Sequence, residues 1–193
     1  VASNPVSKVT EEQYLAIERA AEFKSEFLNG EMFAMAGASN AHALIQANLF
    51  GELYMALRGS ACRSFGSDSK VRVSSDAYVY PDVTVVCGKQ QTTGAYRDLL
   101  VDPVAIFEVL SPSTEKYDRS VKSRLYRTID SLRDYVLVSQ EEIYIEHFTR
   151  PPNGVWTVRD YLGPDEELKM DSIGVAIPLR RVYDQVEIPP ATE

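Results

Sequence analysis

The run from Val104 to Leu110 is apolar at every position except Glu108. A strand this apolar is normally covered on both faces. The Glu108 carboxylate would then sit where ionisation is costly unless a cation or hydrogen-bond donors compensate. Such a group serves either a structural ion pair or chemistry, and perturbed carboxylates concentrate at active sites. Asp82 follows Tyr80-Pro81 and opens the run Val83 to Val86. Proline suits a strand's first position because it has no N–H for the ladder. Alone, an aspartate there reads as a turn residue. On a strand adjacent to that of Glu108 it would bring two carboxylates to one metal ion, whose charge offsets their repulsion. The third candidate is Lys122, on the helix expected after Glu108. Asp118, Lys122 and Tyr126 recur at i, i+4 and i+8 and share one face. Beside them runs an apolar stripe of Tyr117, Val121 and Leu125. Lys122 is therefore expected at the boundary of packed and open surface, from which its ammonium can reach a neighbouring site. The plainer alternative is a surface salt bridge with Asp118, worth little.

Other residue types narrow the chemistry. His42 and His147 are too few and too far apart in sequence for a histidine-built metal site. A metal here would be a hard cation held by oxygen, such as magnesium. His42, in the first turn of a helix, reads as a satisfied, partly buried histidine. Cys62 and Cys87 cannot make a disulfide framework or a zinc motif, and Cys87, ending an apolar run, reads as core filling. The net charge of −8 argues against sequence-blind nucleic-acid binding. The helix after Glu108 nevertheless carries Lys116, Arg119, Arg124 and Arg127, a local basic patch. No GxxxxGK[ST], GxGxxG after a strand, HExxH or GxSxG occurs, which disfavours P-loop, dinucleotide, zinc-protease and serine-hydrolase chemistry.

The elements that must position these residues follow from local signals. Thr10 to Gln13 has the form of a capping box, opening a helix to about Ala20 that turns Tyr14, Leu15 and Ile17 inward. Asn29-Gly30 between Phe23–Leu28 and Glu31–Ala36 is a hairpin signal. It sets Leu28 opposite Glu31 and Glu26 opposite Phe33, with both glutamates on one face. A helix from about Ala41 to Arg58 presents Leu44, Ile45, Leu49, Leu53 and Leu57 as its core stripe and stops at Gly59. Strands are expected at Cys62–Phe65, Lys70–Val73, Asp82–Cys87 and Val104–Leu110. The polar segment Gly88–Asp102 reads as a loop with little order. A helix capped by Ser113 runs to about Asp130, followed by strands at Arg133–Ser139, Ile143–Phe148 and Val155–Tyr161 and a brief element at Leu179–Tyr183. Mixed strands flanked by two substantial helices give an α+β or α/β fold. One domain spans 10–183, with 1–9 and 184–193 as flexible termini. No stretch is apolar enough to span a membrane, and Val1 to Lys8 has no apolar run of the secretory kind, so a cytoplasmic location is expected.

These residues, taken in order, carry a resemblance. The series is Glu26, Asn29-Gly30-Glu31, Ser39 and His42, then Tyr80-Pro81-Asp82 before Val83-Thr84-Val85-Val86. It continues through Glu108-Val109-Leu110-Ser111-Pro112-Ser113-Thr114 to Asp118, Lys122 and Tyr126. The chain resembles, from about Thr10 to Tyr183, the bacterial Uma-type restriction endonuclease family of the PD-(D/E)XK, restriction-endonuclease-like superfamily. The resemblance implies an αβββαβ core, with a mixed central sheet flanked by helices and extra C-terminal strands. It implies Asp82 and Glu108 as metal ligands and Lys122 as the residue that orients the attacking water or stabilises the phosphorane charge. Glu31, or less readily Glu26, would add an outer carboxylate. Leu110 stands where the superfamily usually has its lysine, and Lys122 on the next helix would supply that charge instead. Asn29 stands where the family more often has Asp.

The function so implied is Mg²⁺-dependent hydrolysis of DNA phosphodiester bonds, with Mn²⁺ as a substitute and a homodimer as a possible assembly. Two alternatives stand beside it. One is a catalytically silent nuclease-fold binding protein. The other is a metal-dependent hydrolase of a small acidic substrate, gripped by Lys122 and Arg119.

Overall fold

The computed structural model of the chain describes residues 8–35, 37–88, 92–93 and 98–188. Thr10 opens α1 (Glu11–Ala20) with the expected capping box. Its hydroxyl accepts from Gln13 N at 3.2 Å, and Gln13 Oε1 accepts from Thr10 N at 2.9 Å. Tyr14 is fully buried and Leu15 packs against the same cluster, but Ile17, expected inside, is 47% exposed. Asn29 (φ 51) and Gly30 (φ 89) turn β1 (Ser25–Leu28) into β2 (Glu31–Ala34). Two successive positive φ values are what a two-residue I′ hairpin turn requires. The register is the expected one, with Glu26 opposite Phe33 and Leu28 opposite Glu31. Ala36, the expected end of the second strand, lies outside the described residues.

Ser39 Oγ accepts from His42 N at 3.1 Å and so starts α2 (Asn40–Ala56). Gly59 ends that segment with φ 80, the left-handed stop. Next come β3 (Cys62–Gly66), β4 (Lys70–Ser74), β5 (Ala77–Val79), β6 (Val83–Cys87), β7 (Thr92–Thr93), β8 (Leu99–Leu100) and β9 (Pro103–Leu110). The segment expected as a disordered loop therefore holds two short strands, of which β8 pairs parallel with β4. Burial of Leu99 and Leu100 anchors it, an apolar pair too short to give a periodic signal. Residues 89–91 and 94–97 of that segment lie outside the described residues.

After β9 the chain forms α3 (Glu115–Tyr117), a π-helical turn (Asp118–Lys122) and α4 (Ser123–Arg127) without interruption. Ser113 is not the cap: Ser111 Oγ accepts from Thr114 N at 3.3 Å, and Ser113 Oγ lies 3.0 Å from the Ser111 hydroxyl. The helix ends at Arg127 rather than Asp130. Then follow β10 (Asp134–Ser139), β11 (Tyr144–Thr149) and β12 (Thr157–Leu162). The tail adds the hairpin β13 (Glu167–Met170) and β14 (Val175–Pro178), where no strands were expected, and the short α5 (Leu179–Val182). The expected flexible termini lie largely outside the described residues. Val9 is an exception, since its N–H reaches Gly30 O at 2.9 Å.

Two six-stranded sheets result, ordered β2-β1-β5-β4-β8-β7 and β12-β11-β10-β9-β6-β3. In the second, β6 is antiparallel to β3 and to β9, while β10 is parallel to β9. A parallel pair needs a crossover, and helix 115–127 provides it. Thus α2, β3, β6, β9, helix 115–127 and β10 form the implied αβββαβ core. Alternation along β9 decides where Glu108 goes. Ala105, Phe107 and Val109 join Ile45, Leu49 and Leu53 of α2 in one cluster. Ile106 and Leu110 join Tyr126 and Tyr135 in the other, on the side of helix 115–127. Glu108 shares that second face.

Cys62 and Cys87 face each other across β3 and β6 and are joined by a disulfide. This corrects the reading of Cys87 as simple core filling. Strands 25 residues apart in sequence become neighbours only in the sheet, although both cysteines still pack against the α2 cluster. No described helix is long and apolar enough to cross a membrane.

Candidate active site

Glu108 is 3% exposed, in the middle of an apolar strand. Its Oε1 accepts from Lys122 Nζ at 3.0 Å and from the Tyr126 hydroxyl at 2.6 Å. Lys122 Nζ also lies 3.1 Å from Glu26 Oε1 and 3.4 Å from Asp118 Oδ1. One ammonium is thus the meeting point of three buried carboxylates. Lys122 is 6% exposed, not at the edge of open surface as its helical spacing predicts. Asp118 to Lys122 form a π turn, so the turn bearing two site residues is wider than an α turn. Such insertions are frequent at functional sites. Glu26 is placed by the hairpin and is also held by Tyr80 N, 3.2 Å from its Oε1.

Asp82 immediately precedes β6. Val83 pairs with Phe107, so continuing that register by one residue sets Asp82 opposite Glu108. Its Oδ2 accepts from Val109 N at 2.7 Å, and its Oδ1 lies 3.0 Å from His42 Nε2. Asp82, Glu108 and Lys122 are therefore brought together. Glu31 is not. It is exposed on β2, the edge strand of its sheet, and the carboxylate that reaches Lys122 is Glu26. Both glutamates share a face of the hairpin, but Glu31 sits roughly 7 Å further along the strand direction.

Burial, first of all, pushes the Glu108 carboxyl well above the usual carboxylate range. Lys122 pulls it back, while Asp118, Asp82 and Glu26 push it further up. Asp118 is raised for the same first reason, again opposed by Lys122. Burial works against the charge on Lys122, yet Glu108, Glu26 and Asp118 outweigh it and hold the ammonium protonated well above the ordinary lysine range.

Sequence reasoning left several of these roles unassigned. His42 reads as an ordinary helix histidine, Asp118 only as a neighbour of Lys122, and Gln46 carries no signal alone. The i, i+4 spacing of His42 and Gln46 was the available clue. His147 is elsewhere, buried against Asp134 at 2.6 Å, and Ser172 donates to the same aspartate. The two histidines thus serve different aspartates. Arg119, which a small-anion site would use, is bound by both Glu115 and Glu146. Arg127 lies over the rings of Phe148 and Trp156.

The donor chemistry suits a hard divalent cation, since the converging groups are all carboxylate oxygens. So does the charge: three buried carboxylates face one ammonium and Asp82 stands nearly buried opposite Glu108, an excess of negative charge that a cation would offset. Among the described residues, no three Asp, Glu, His or Cys side chains are already arranged around an ion position. The Lys122 ammonium stands at the focus instead.

An αβββαβ core that sets two carboxylates on neighbouring central strands, with a lysine on the crossover helix, defines a restriction-endonuclease-like protein. The chain belongs to the Uma2 family, described as "Putative restriction endonuclease", whose model matches residues 11–180. It is 34% identical to "Uncharacterized protein slr1290" of Synechocystis sp. over 182 residues, 94% of each chain. It is 32% identical to "Uncharacterized protein sll1609" of the same organism, across 83% of this chain and 92% of that one. In fold it matches a crystal structure described as "a putative nuclease belonging to DUF820" from Anabaena variabilis. The TM-score is 0.76 at 14% identity, covering 93% of this chain and 99% of the other.

Proposed function

We propose that residues 10–183 form one metal-dependent endonuclease domain that hydrolyses phosphodiester bonds in DNA. Asp82 and Glu108 would hold the Mg²⁺, which Mn²⁺ could replace. The observation that carries this reading is Glu108: a carboxylate buried in an apolar strand, opposite Asp82, with too little positive charge around it. Family membership and the fold agree with it. When bound, the metal would polarise a phosphoryl oxygen and supply a water of lowered pKa.

The chain's own residues would do the rest. Tyr126 donates to Glu108 Oε1 and fixes its orientation. Lys122 carries the only ammonium in contact with Glu108 among the described residues. It would donate hydrogen bonds to the attacking water or to the non-bridging oxygens as their charge grows. Lys116 and Arg124 are exposed on the same helix and would meet the phosphate backbone. A homodimer would present two such sites to a duplex. The place of action would be the cytoplasm.

Incubation of supercoiled plasmid with the wild type and with Asp82→Asn tests the reading. Nicking that needs Mg²⁺ or Mn²⁺ and disappears in the variant supports it; nicking by both proteins, or by neither, sinks it. One observation favours a second reading, the silent binding protein. Lys122 is locked among three carboxylates, so the site is closed as it stands. DNA retention by Asp82→Asn without cleavage by the wild type would favour that reading.

A further inference from the structure

Asp82 is gripped at three points by two different elements. From α2, His42 Nε2 meets Oδ1 at 3.0 Å and Gln46 Nε2 donates to the Asp82 carbonyl at 3.0 Å. From β9, Val109 N donates to Oδ2 at 2.7 Å. His42 and Gln46 lie four residues apart, so one helix face delivers both contacts. We propose that His42 is a positioning residue: it donates from Nε2 to Asp82 Oδ1 and fixes the edge that this carboxylate turns toward Glu108. The proposal rests on the metal-binding reading of Asp82 and Glu108.

Three features of His42 support it. Its backbone is fixed at the start of α2, where His42 N donates to Ser39 Oγ at 3.1 Å. Its ring is nearly buried, the side chains of His42 and Asp82 being 13% and 14% exposed. Its Nδ1 is buried with no hydrogen-bond partner among the described residues. An unpaired buried nitrogen is unfavourable, and an apolar side chain would pack there without it. What the imidazole supplies that an apolar side chain cannot is the Nε2 donor. His42 Nε2 is already engaged by Asp82 Oδ1, so the ring acts on the carboxylate and not directly on an ion. Carboxylates that hold metals are commonly oriented by such hydrogen bonds.

The experiment is Mn²⁺ binding by titration calorimetry to the metal-free wild type, Asp82→Asn, His42→Gln and His42→Leu. Glutamine places an amide N–H close to where Nε2 stands, whereas leucine fills the space without a donor. His42→Gln should bind within about threefold of wild type and His42→Leu about 10–100-fold more weakly. The metal-free His42→Leu protein should melt somewhat lower, because Asp82 Oδ1 loses its donor, so each variant is titrated well below its own thermal midpoint. Wild-type affinity in His42→Leu, or equal loss in both His42 variants, overturns the positioning role. No binding by the wild type, or undiminished binding by Asp82→Asn, overturns instead the metal reading beneath it. Should His42→Leu not fold, His42→Phe, which keeps a ring without the donor, takes its place.

Discussion

Glu108 accepts hydrogen bonds from Lys122 and Tyr126, yet its carboxyl is still driven upward by burial and by three other carboxylates. Ionised Glu108 therefore works against the metal-free fold. Glu108→Gln keeps acceptors for both donors and removes a charge. It should raise the thermal midpoint of the metal-free protein at about pH 8, by roughly 2–4 °C for each kcal/mol gained. Lys122→Met does the reverse, leaving Glu26, Glu108 and Asp118 without their shared cation. Removing one partner of a buried ionic group costs about 3–5 kcal/mol. Urea unfolding at about pH 8 should show that loss, and it should shrink at about pH 5 as the raised carboxyls take up protons.

At the scale of elements, the hairpin decides which glutamate matters. Gly30 has φ +89, and a Cβ there would come within 2.8 Å of Lys8 Cβ. Gly30→Ala should cost about 1 kcal/mol or more, read by urea unfolding, because strain and contact both oppose it. Glu31→Gln, on the exposed edge strand, should stay within about 0.5 kcal/mol of wild type. The sequence favours Glu31 over Glu26, and alternation cannot correct that choice because it assigns a face and not a depth. Sheet order supplies the depth: β1 lies between β2 and β5, and β2 has no further partner among the described residues. The π turn has the same character, since i, i+4 spacing marks Asp118, Lys122 and Tyr126 as neighbours without revealing that their turn is widened.

For the whole molecule, the shifts of Glu108 and Asp118 set the sign of the pH dependence. Both carboxyls bind protons more tightly in the folded chain than the ordinary value of about 4 allows in the unfolded one. Their stabilising effect is therefore fully present below about pH 4 and is lost as pH rises through the raised folded values. The metal-free thermal midpoint should fall between about pH 5 and pH 8, and saturating Mn²⁺ should flatten that slope. No decline in a pH series of melts would contradict the surplus-charge account. The Cys62–Cys87 link closes a loop with a sequence separation of 25. Its reduction should lower stability by about 3.5 kcal/mol on the chain-entropy account, visible as a lower urea midpoint with dithiothreitol.

What the sequence determined by itself was local. The capping box at Thr10, the Asn29-Gly30 turn with its register, the stripe of α2 and the isolation of Glu108 in an apolar strand are all encoded by neighbours a few residues apart. The tertiary structure decided what depends on strand order. It set Asp82 opposite Glu108, brought Glu26 to Lys122, turned His42 and Gln46 onto Asp82, and put Cys62 beside Cys87. Each of these pairs spans 25 to 96 residues, and no periodicity in a short window specifies a contact at that separation. The short strands β5, β7, β8, β13 and β14 were missed for a related reason: two to four residues are held by their sheet partners and not by a pattern of their own.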